Sequence, residues 1–225
     1  MGTPEGSLEI ECKYAVPAGF VLPDLGTVPG VASVTGPDTY QLTAIYLDTA
    51  AQDLAAAKIT LRRRSGGADD GWHLKLPAGA GTRREVHAPL GPGGEPVPER
   101  LAGLVAGWTR GQPLRPIARL QTTRSVRRLT GAGGEVLAEV ADDEVTGSLP
   151  GQQSCDTDVP AGPPSWQTVT SWREVEIELG TGPAGLLDQA GRLLLDAGAR
   201  LSPSASKLAF VLSFTRKEGP QRREP

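Results

Sequence analysis

Polar and apolar positions alternate along most of this chain. In Leu8-Glu9-Ile10-Glu11-Cys12-Lys13, an extended strand places Glu9, Glu11 and Lys13 on one face and Leu8, Ile10 and Cys12 on the other. The same period returns in residues 172–179, with Glu174, Glu176 and Glu178 on one face and Arg173, Val175, Ile177 and Leu179 on the other. Between them, residues 41–49, 59–64, 72–76, 83–87 and 135–145 read as strands, and 114–129 as one strand or two. Glycine-rich turns at 65–71, 78–82 and 132–134 predict hairpins. Helical spacing is rarer. It predicts a turn over 53–57, an amphipathic helix over 99–108, and the clearest helix over 183–197, which Gly198 stops. A short helix is expected from Phe20 to Leu25, ending near Gly26, and residues 147–170 read as a long loop. Residues 204–214 set Lys207 beside Leu208, Phe210, Val211 and Leu212.

Composition narrows the picture. The 225 residues suit one domain, assigned here to 1–215, with 216–225 as a disordered tail or linker remnant. Aromatic residues are only 4% of the chain, so the core must come from Leu, Val, Ala and Ile. A net charge of −3 gives no global basic field to draw nucleic acid or a membrane, so any polyanion site must come from local segregation of charge. Cys12 and Cys155 are isolated, too few for a zinc site or a disulfide framework, and are expected reduced in a cytoplasmic protein. There is no signal-like N-terminus and no apolar run of about 18 residues to span a bilayer. Phosphate-binding glycine motifs and a Ser/His/Asp arrangement are missing, and there are only two histidines. Acid–base chemistry must then fall to carboxylates, lysine or metal-bound water.

The charged face of each strand needs an explanation. A solvated outer face accounts for any one strand, but it requires the alternation to recur by chance on six or seven. If the sheet closes, the charged faces line a lumen and the apolar faces meet surrounding helices. Ionised groups inside such a lumen need partners. A bound polyanion with divalent cations supplies them, because basic groups meet phosphate oxygens and carboxylates meet metal.

The ordered set of motifs resembles the CYTH superfamily, the triphosphate tunnel metalloenzymes. The set is Glu9-x-Glu11-x-Lys13, Tyr46-Leu47-Asp48-Thr49, Leu61-Arg62-Arg63-Arg64, Leu74-Lys75-Leu76, Arg83-x-Glu85, Glu174-x-Glu176-x-Glu178 and Ser206-Lys207. The resemblance implies an α+β, mainly β fold: a closed eight-stranded antiparallel tunnel with helices packed outside. It implies that Lys13, Arg62, Arg64, Lys75, Arg83, Arg124 and Lys207 grip phosphates. Glu9, Glu11, Glu176 and Glu178 would hold Mg²⁺ or Mn²⁺, with Glu139 and Asp143 beside them. Glu9, Glu11 and Lys13 would carry the catalysis. Asp142 competes with Asp143 for the tunnel position, and Arg127 or Arg128 with Arg124. The implied activity is hydrolysis of a terminal phosphoryl group, with inorganic triphosphate the leading substrate. Nucleoside or thiamine triphosphate, cyclisation of ATP, and polyphosphate binding without catalysis are the alternatives. The Leu-Ser-Pro-Ser-Ala-Ser-Lys segment most resembles bacterial CYTH domains that precede a CHAD domain, which this chain lacks and a longer parent chain could carry.

Overall fold

The structure is a computed structural model that describes residues 7–67, 69–79, 82–91, 96–151 and 165–215. Its strands are β1 (Ser7–Val16), β2 (Ser33–Asp48), β3 (Thr60–Ser65), β4 (Gly71–Pro77), β5 (Thr82–Ala88), β6 (Arg115–Thr130), β7 (Val136–Pro150), β8 (Trp166–Leu179) and β9 (Arg200–Leu201). Its helices are α1 (Asp53–Ala56), α2 (Glu99–Thr109), α3 (Gly185–Asp196) and α4 (Lys207–Leu212). The strands are hydrogen-bonded in the order β5-β4-β3-β2-β6-β7-β8-β1, and β1 pairs back onto β5. Eight antiparallel strands therefore close into a barrel, with β9 added beside Tyr14 and Ala15 of β1. In this ring β3 and β8 stand opposite each other, four strands apart in either direction.

Alternation decides what faces where. Outward side chains of β7 and β8, among them Val140, Val175 and Ile177, are fully buried beneath the apolar stripe of α3. Leu61, Trp72, Leu74 and Val86 are covered in the same way by Leu54 of α1 and by Leu101 and Val105 of α2. The third apolar cluster lies inside. Leu208, Val211 and Leu212 of α4 meet Ala44, Tyr46, Leu120 and Val145, so α4 closes one end of the barrel. A six-residue helix has no stability of its own. The Ser206 hydroxyl caps it by accepting from Ala209 N at 3.1 Å, and burial of its apolar side chains contributes about 1.5–3 kcal/mol each.

Several elements differ from the sequence reading. β2 begins eight residues before position 41, and its first seven residues are exposed on both faces, so no alternation marks them. Residues 114–129 form a single strand. The expected loop over 147–170 is strand as far as Pro150 and again from Trp166. Short polar side chains build that ladder, with hydroxyl contacts between Thr146 and Ser171 at 3.3 Å and Ser148 and Thr168 at 3.4 Å. The helix expected from Phe20 to Leu25 is only a 3₁₀ turn over Leu25–Thr27. Pro23 disfavours helical torsions at Leu22, and Asp24 caps the turn by accepting from Gly26 N at 2.9 Å. The tail over 216–225 and Cys155 lie outside the described residues. Among the described residues no helix is long and apolar enough to cross a membrane.

Candidate active site

The lumen encloses a cavity of about 250 Å³. Lys13, Arg62, Arg64, Lys75, Arg83, Arg124 and Lys207 all line it, as do Glu9, Glu11, Glu139, Glu176 and Glu178. Asp143 stands apart from the lining. It is fully buried on the inner face of β7 beneath the cavity, accepting from Arg124 Nε at 2.8 Å and Nη2 at 2.6 Å, with Lys207 Nζ 2.9 Å away. Asp142 points the other way, where its carboxylate accepts from Arg173 Nε at 2.8 Å. Of the competing arginines, Arg124 faces the cavity and Arg127 pairs with Val140, a residue of the outer core. Arg128 sits between Asp38 at 2.6 Å and Glu139 at 2.9 Å.

Both signs of charge line the cavity, but one rung is wholly acidic and β3 contributes only arginines among its charged lining residues. Glu11 is the register partner of Glu178, and Glu178 of Glu139, so three carboxylates share one rung across β1, β8 and β7. On the opposite side, Arg62 and Arg64 project from β3. Among the lining residues, the seven lysines and arginines are matched by seven carboxylates once Glu85 and Asp69 are counted. A lumen so nearly balanced cannot hold a polyanion by net charge. It must either unpair its cations or mask its carboxylates.

The pairing is uneven. Burial alone would raise the Glu176 carboxyl, but Lys13, Lys207 and Arg124 hold it far below the usual range. Lys207 lies 2.6 Å from Glu174 and Glu176 and 2.9 Å from Asp143, and these carboxylates hold its ammonium up against burial. Oxygens of the same three residues come within 4.8 Å of one another, a spacing that suits a cation, and the ammonium sits among them. Glu9 is pushed up to about 8, first by burial and then by its hydrogen bond with Glu85, against the pull of Lys75 Nζ at 2.5 Å. Glu85 itself is held low despite burial by its bonds with His73, at 2.8 Å, and with Glu9. Glu178 is raised by burial, with Glu11 and Glu176 adding to the rise and Lys75 opposing it. Among the described residues no cation lies in ion-pair range of it. On the basic wall, Nε of Arg62 and of Arg64 is buried without a hydrogen-bond acceptor. Arg62 Nη1 donates to the Tyr46 hydroxyl at 3.2 Å, and Arg64 pairs with Asp69. Burial, then Arg62 and Arg124, brings Arg64 down to about 10.

This donor set fits a hard divalent cation. Glu11, Glu139 and Glu178 offer carboxylates on one rung of the lumen wall, and burial, the first cause of the raised carboxyl pKa of Glu9 and of Glu178, disfavours their ionised forms until a cation is there to meet them. The orphaned guanidinium donors opposite call for an anion. Sequence reasoning gave no site role to Tyr46, Thr60, Asp69, Glu85 or Ser206, which line the cavity, or to Glu174 and His73, which pair with its lining residues. Alternation within Arg83-x-Glu85 and along β8 was enough to place Glu85 and Glu174. Alternation likewise set His73 on the face of Lys75, whereas Asp69 carried no such signal, since its place depends on the β3–β4 turn.

A closed antiparallel barrel that carries its ionised groups inside defines a charged tunnel, and comparison with known proteins identifies its kind. The chain belongs to the CYTH family: the CYTH domain model matches residues 7–209. Two uncharacterized proteins of Mycobacterium tuberculosis, MT2285 of strain CDC 1551 and Rv2226 of strain H37Rv, are each 44% identical to it over 216 residues. That match takes in 94% of this chain but only 41% of each relative. A Bacillus halodurans protein named as a candidate adenylate cyclase shares the fold, with a TM-score of 0.53 at 17% identity over 90% of this chain and 96% of its own.

Proposed function

We propose that this tunnel hydrolyses the terminal phosphoryl group of inorganic triphosphate with the help of Mg²⁺ or Mn²⁺. One observation carries the reading: orphaned arginine donors on β3 face a rung of carboxylates on β1, β7 and β8 across a narrow lumen. A linear polyanion held by the first wall and cations held by the second would meet in the middle, each supplying what the other lacks.

Glu9, Glu11, Glu139 and Glu178 would hold the metal from the cavity side. Asp143 and Glu176 are engaged by Lys13, Lys207 and Arg124 and would reach metal only by giving those partners up. When bound, the metal supplies a Lewis acid and a water acidified for attack. The chain's own groups do the rest. Arg62 and Arg64 present their free Nε donors to phosphate oxygens, and Lys75, Arg83 and Arg124 extend that grip. Lys13 and Lys207, already in the wall, offset charge that grows on the leaving pyrophosphate. Glu9 and Glu11 would border the attacking water and orient it, as ionised carboxylates.

The lining favours an inorganic substrate over a nucleotide. Tyr46 is the lone aromatic among the described lining residues, and its hydroxyl is committed to Arg62, so no ring is free to stack on a base. Phosphate release from inorganic triphosphate, ATP and thiamine triphosphate, measured with each metal at neutral and alkaline pH, tests this. Inorganic triphosphate should give the highest kcat/KM. A higher value for either organic triphosphate rejects the substrate assignment, and calorimetric binding with no phosphate released makes the domain a polyphosphate binder.

A further inference from the structure

We infer that Trp172 is a positioning residue that aims Lys207 at the anion, acting through Glu174. The inference rests on the triphosphate reading above. It starts from a side chain that touches both the plug helix and the charged cluster. The Trp172 indole Nε1 donates to Glu174 Oε2 at 2.7 Å. Its ring packs on Phe210 of α4 with centroids 4.7 Å apart, and Phe210 in turn meets Phe214 edge-on at 5.5 Å. The other oxygen of Glu174, Oε1, lies 2.6 Å from Lys207 Nζ and has no well-directed hydrogen bond. Trp172 thus holds the helix by its ring and the carboxylate by its N–H. The helix brings Lys207 in, and the carboxylate receives it.

The geometry separates the two oxygens of Glu174 by task. With Oε2 fixed by the indole, Oε1 is the oxygen left to face the ammonium. Lys207 is then held by Glu174, Glu176 and Asp143 at the floor of the cavity it lines. Without the indole bond, the carboxylate can rotate and take the ammonium with it. Glu174 is 5% exposed and Asp143 0%, so water cannot easily replace the lost donor.

Trp172→Phe keeps the ring against Phe210 and deletes only the N–H. Inorganic triphosphate binding, followed by calorimetry with metal chelated, should weaken about tenfold, the size expected for one hydrogen bond to a charged group. Glu174→Gln, which keeps the volume, should repeat the loss and serves if the tryptophan variant does not fold. Because the effect passes through Lys207, Trp172→Phe added to Lys207→Ala should cost nothing further. The indole proton resonance of Trp172, assigned by its absence from Trp172→Phe, should shift in ligand-free Lys207→Ala. Unchanged binding in Trp172→Phe, or losses that multiply in the double variant, overturn the inference. If the wild-type protein binds no triphosphate either with metal chelated or with Mg²⁺ or Mn²⁺ present, the proposed function falls. The clamp then stands if the indole resonance still responds to Lys207→Ala, and falls if it does not.

Discussion

The lumen has two halves built on opposite principles. Toward α4 it is filled by Leu208, Val211 and Leu212 against Ala44, Leu120 and Val145, an ordinary apolar core that happens to lie inside a barrel. Beyond Tyr46 it is lined by ionised side chains that pair with one another. The apolar half is satisfied as it stands. Among the described residues, the charged half leaves Arg62 and Arg64 with unused donors and Glu178 with no cation in ion-pair range, Lys75 acting on it only from farther off. A protein gains nothing in stability by burying charge in this way, so the unmet groups mark where a ligand belongs. The apolar half gives the charged half a floor and supplies Lys207 from the plug itself.

The largest effects should come from the charged half. Glu11 shares its rung with Glu178 and Glu139. Glu11→Ala should lower metal-dependent kcat by roughly 10³-fold, as loss of a group acting on the reacting centre does. Triphosphate binding without metal should survive, because the β3 arginines remain. Full metal-dependent turnover in this variant removes Glu11 from the metal set. Next in size, Arg62→Ala should weaken triphosphate binding by about a hundredfold, through loss of a charge-assisted contact from a partly buried wall. Arg128, already committed to Asp38 and Glu139 at the rim, makes the contrast: Arg128→Ala should change binding less than about threefold. Equal losses in the two variants, read by calorimetry, erase the distinction between inner wall and rim.

A smaller effect comes from pH. Glu9 has its carboxyl raised from 4.5 to about 8 by burial and its Glu85 bond, so the folded state holds a proton there that the unfolded chain has lost. Its contribution to the stability of the metal-free protein is complete below 4.5 and disappears as pH rises through about 8. Metal loading has the opposite slope, since the carboxylate must first lose that proton. Divalent-cation affinity should rise about tenfold per pH unit up to about 8 and then level. His73, lowered from 6.5 to about 4 chiefly by burial, adds stability that is present above 6.5 and lost as pH falls through 4. A metal affinity that stays flat between about pH 6 and 8, titrated calorimetrically, denies Glu9 a place at the cation.

The difference between the halves also sorts what could be read from the chain. Period-two alternation placed the charged wall almost entirely, because a strand with Glu174, Glu176 and Glu178 on one side and Val175 and Ile177 on the other has only two orientations. Alternation left closure of the sheet open, and the eight-stranded barrel was expected from the resemblance of the ordered motifs. The start of β2 and the junction of β7 with β8 were illegible, since exposure on both faces or a run of Ser and Thr removes the contrast that alternation needs. The plug was hidden for another reason. Lys207-Leu208-Ala209-Phe210-Val211-Leu212 shows that an apolar surface exists, but not that its partner is the inner face of β2, β6 and β7. Which carboxylate pairs with which ammonium is likewise fixed by ring order, and no single strand contains it.

The smallest expected effect tests the apolar half directly. A Cβ built on Gly147 would lie 2.5 Å from Val211 Cγ2 and 3.3 Å from Thr170 Cγ2 and Trp172 Cζ3. Val211 is 0% exposed, so its methyl has no open space to turn into, and an added methyl on β7 must push α4 back along the barrel. Gly147→Ala should therefore cost about 1–3 kcal/mol, the range for overpacking a filled core, and lower Tm by about 2–4 °C for each kcal/mol in a domain of this size. The charged half should register the shift too, because Lys207 opens the same helix: triphosphate binding should weaken while the β3 arginines and the carboxylate rung stay in place. A Gly147→Ala protein that melts and binds like the wild type has room between β7 and α4. The helix would then not be seated as a plug, and Lys207 would have to reach the carboxylates by some other support.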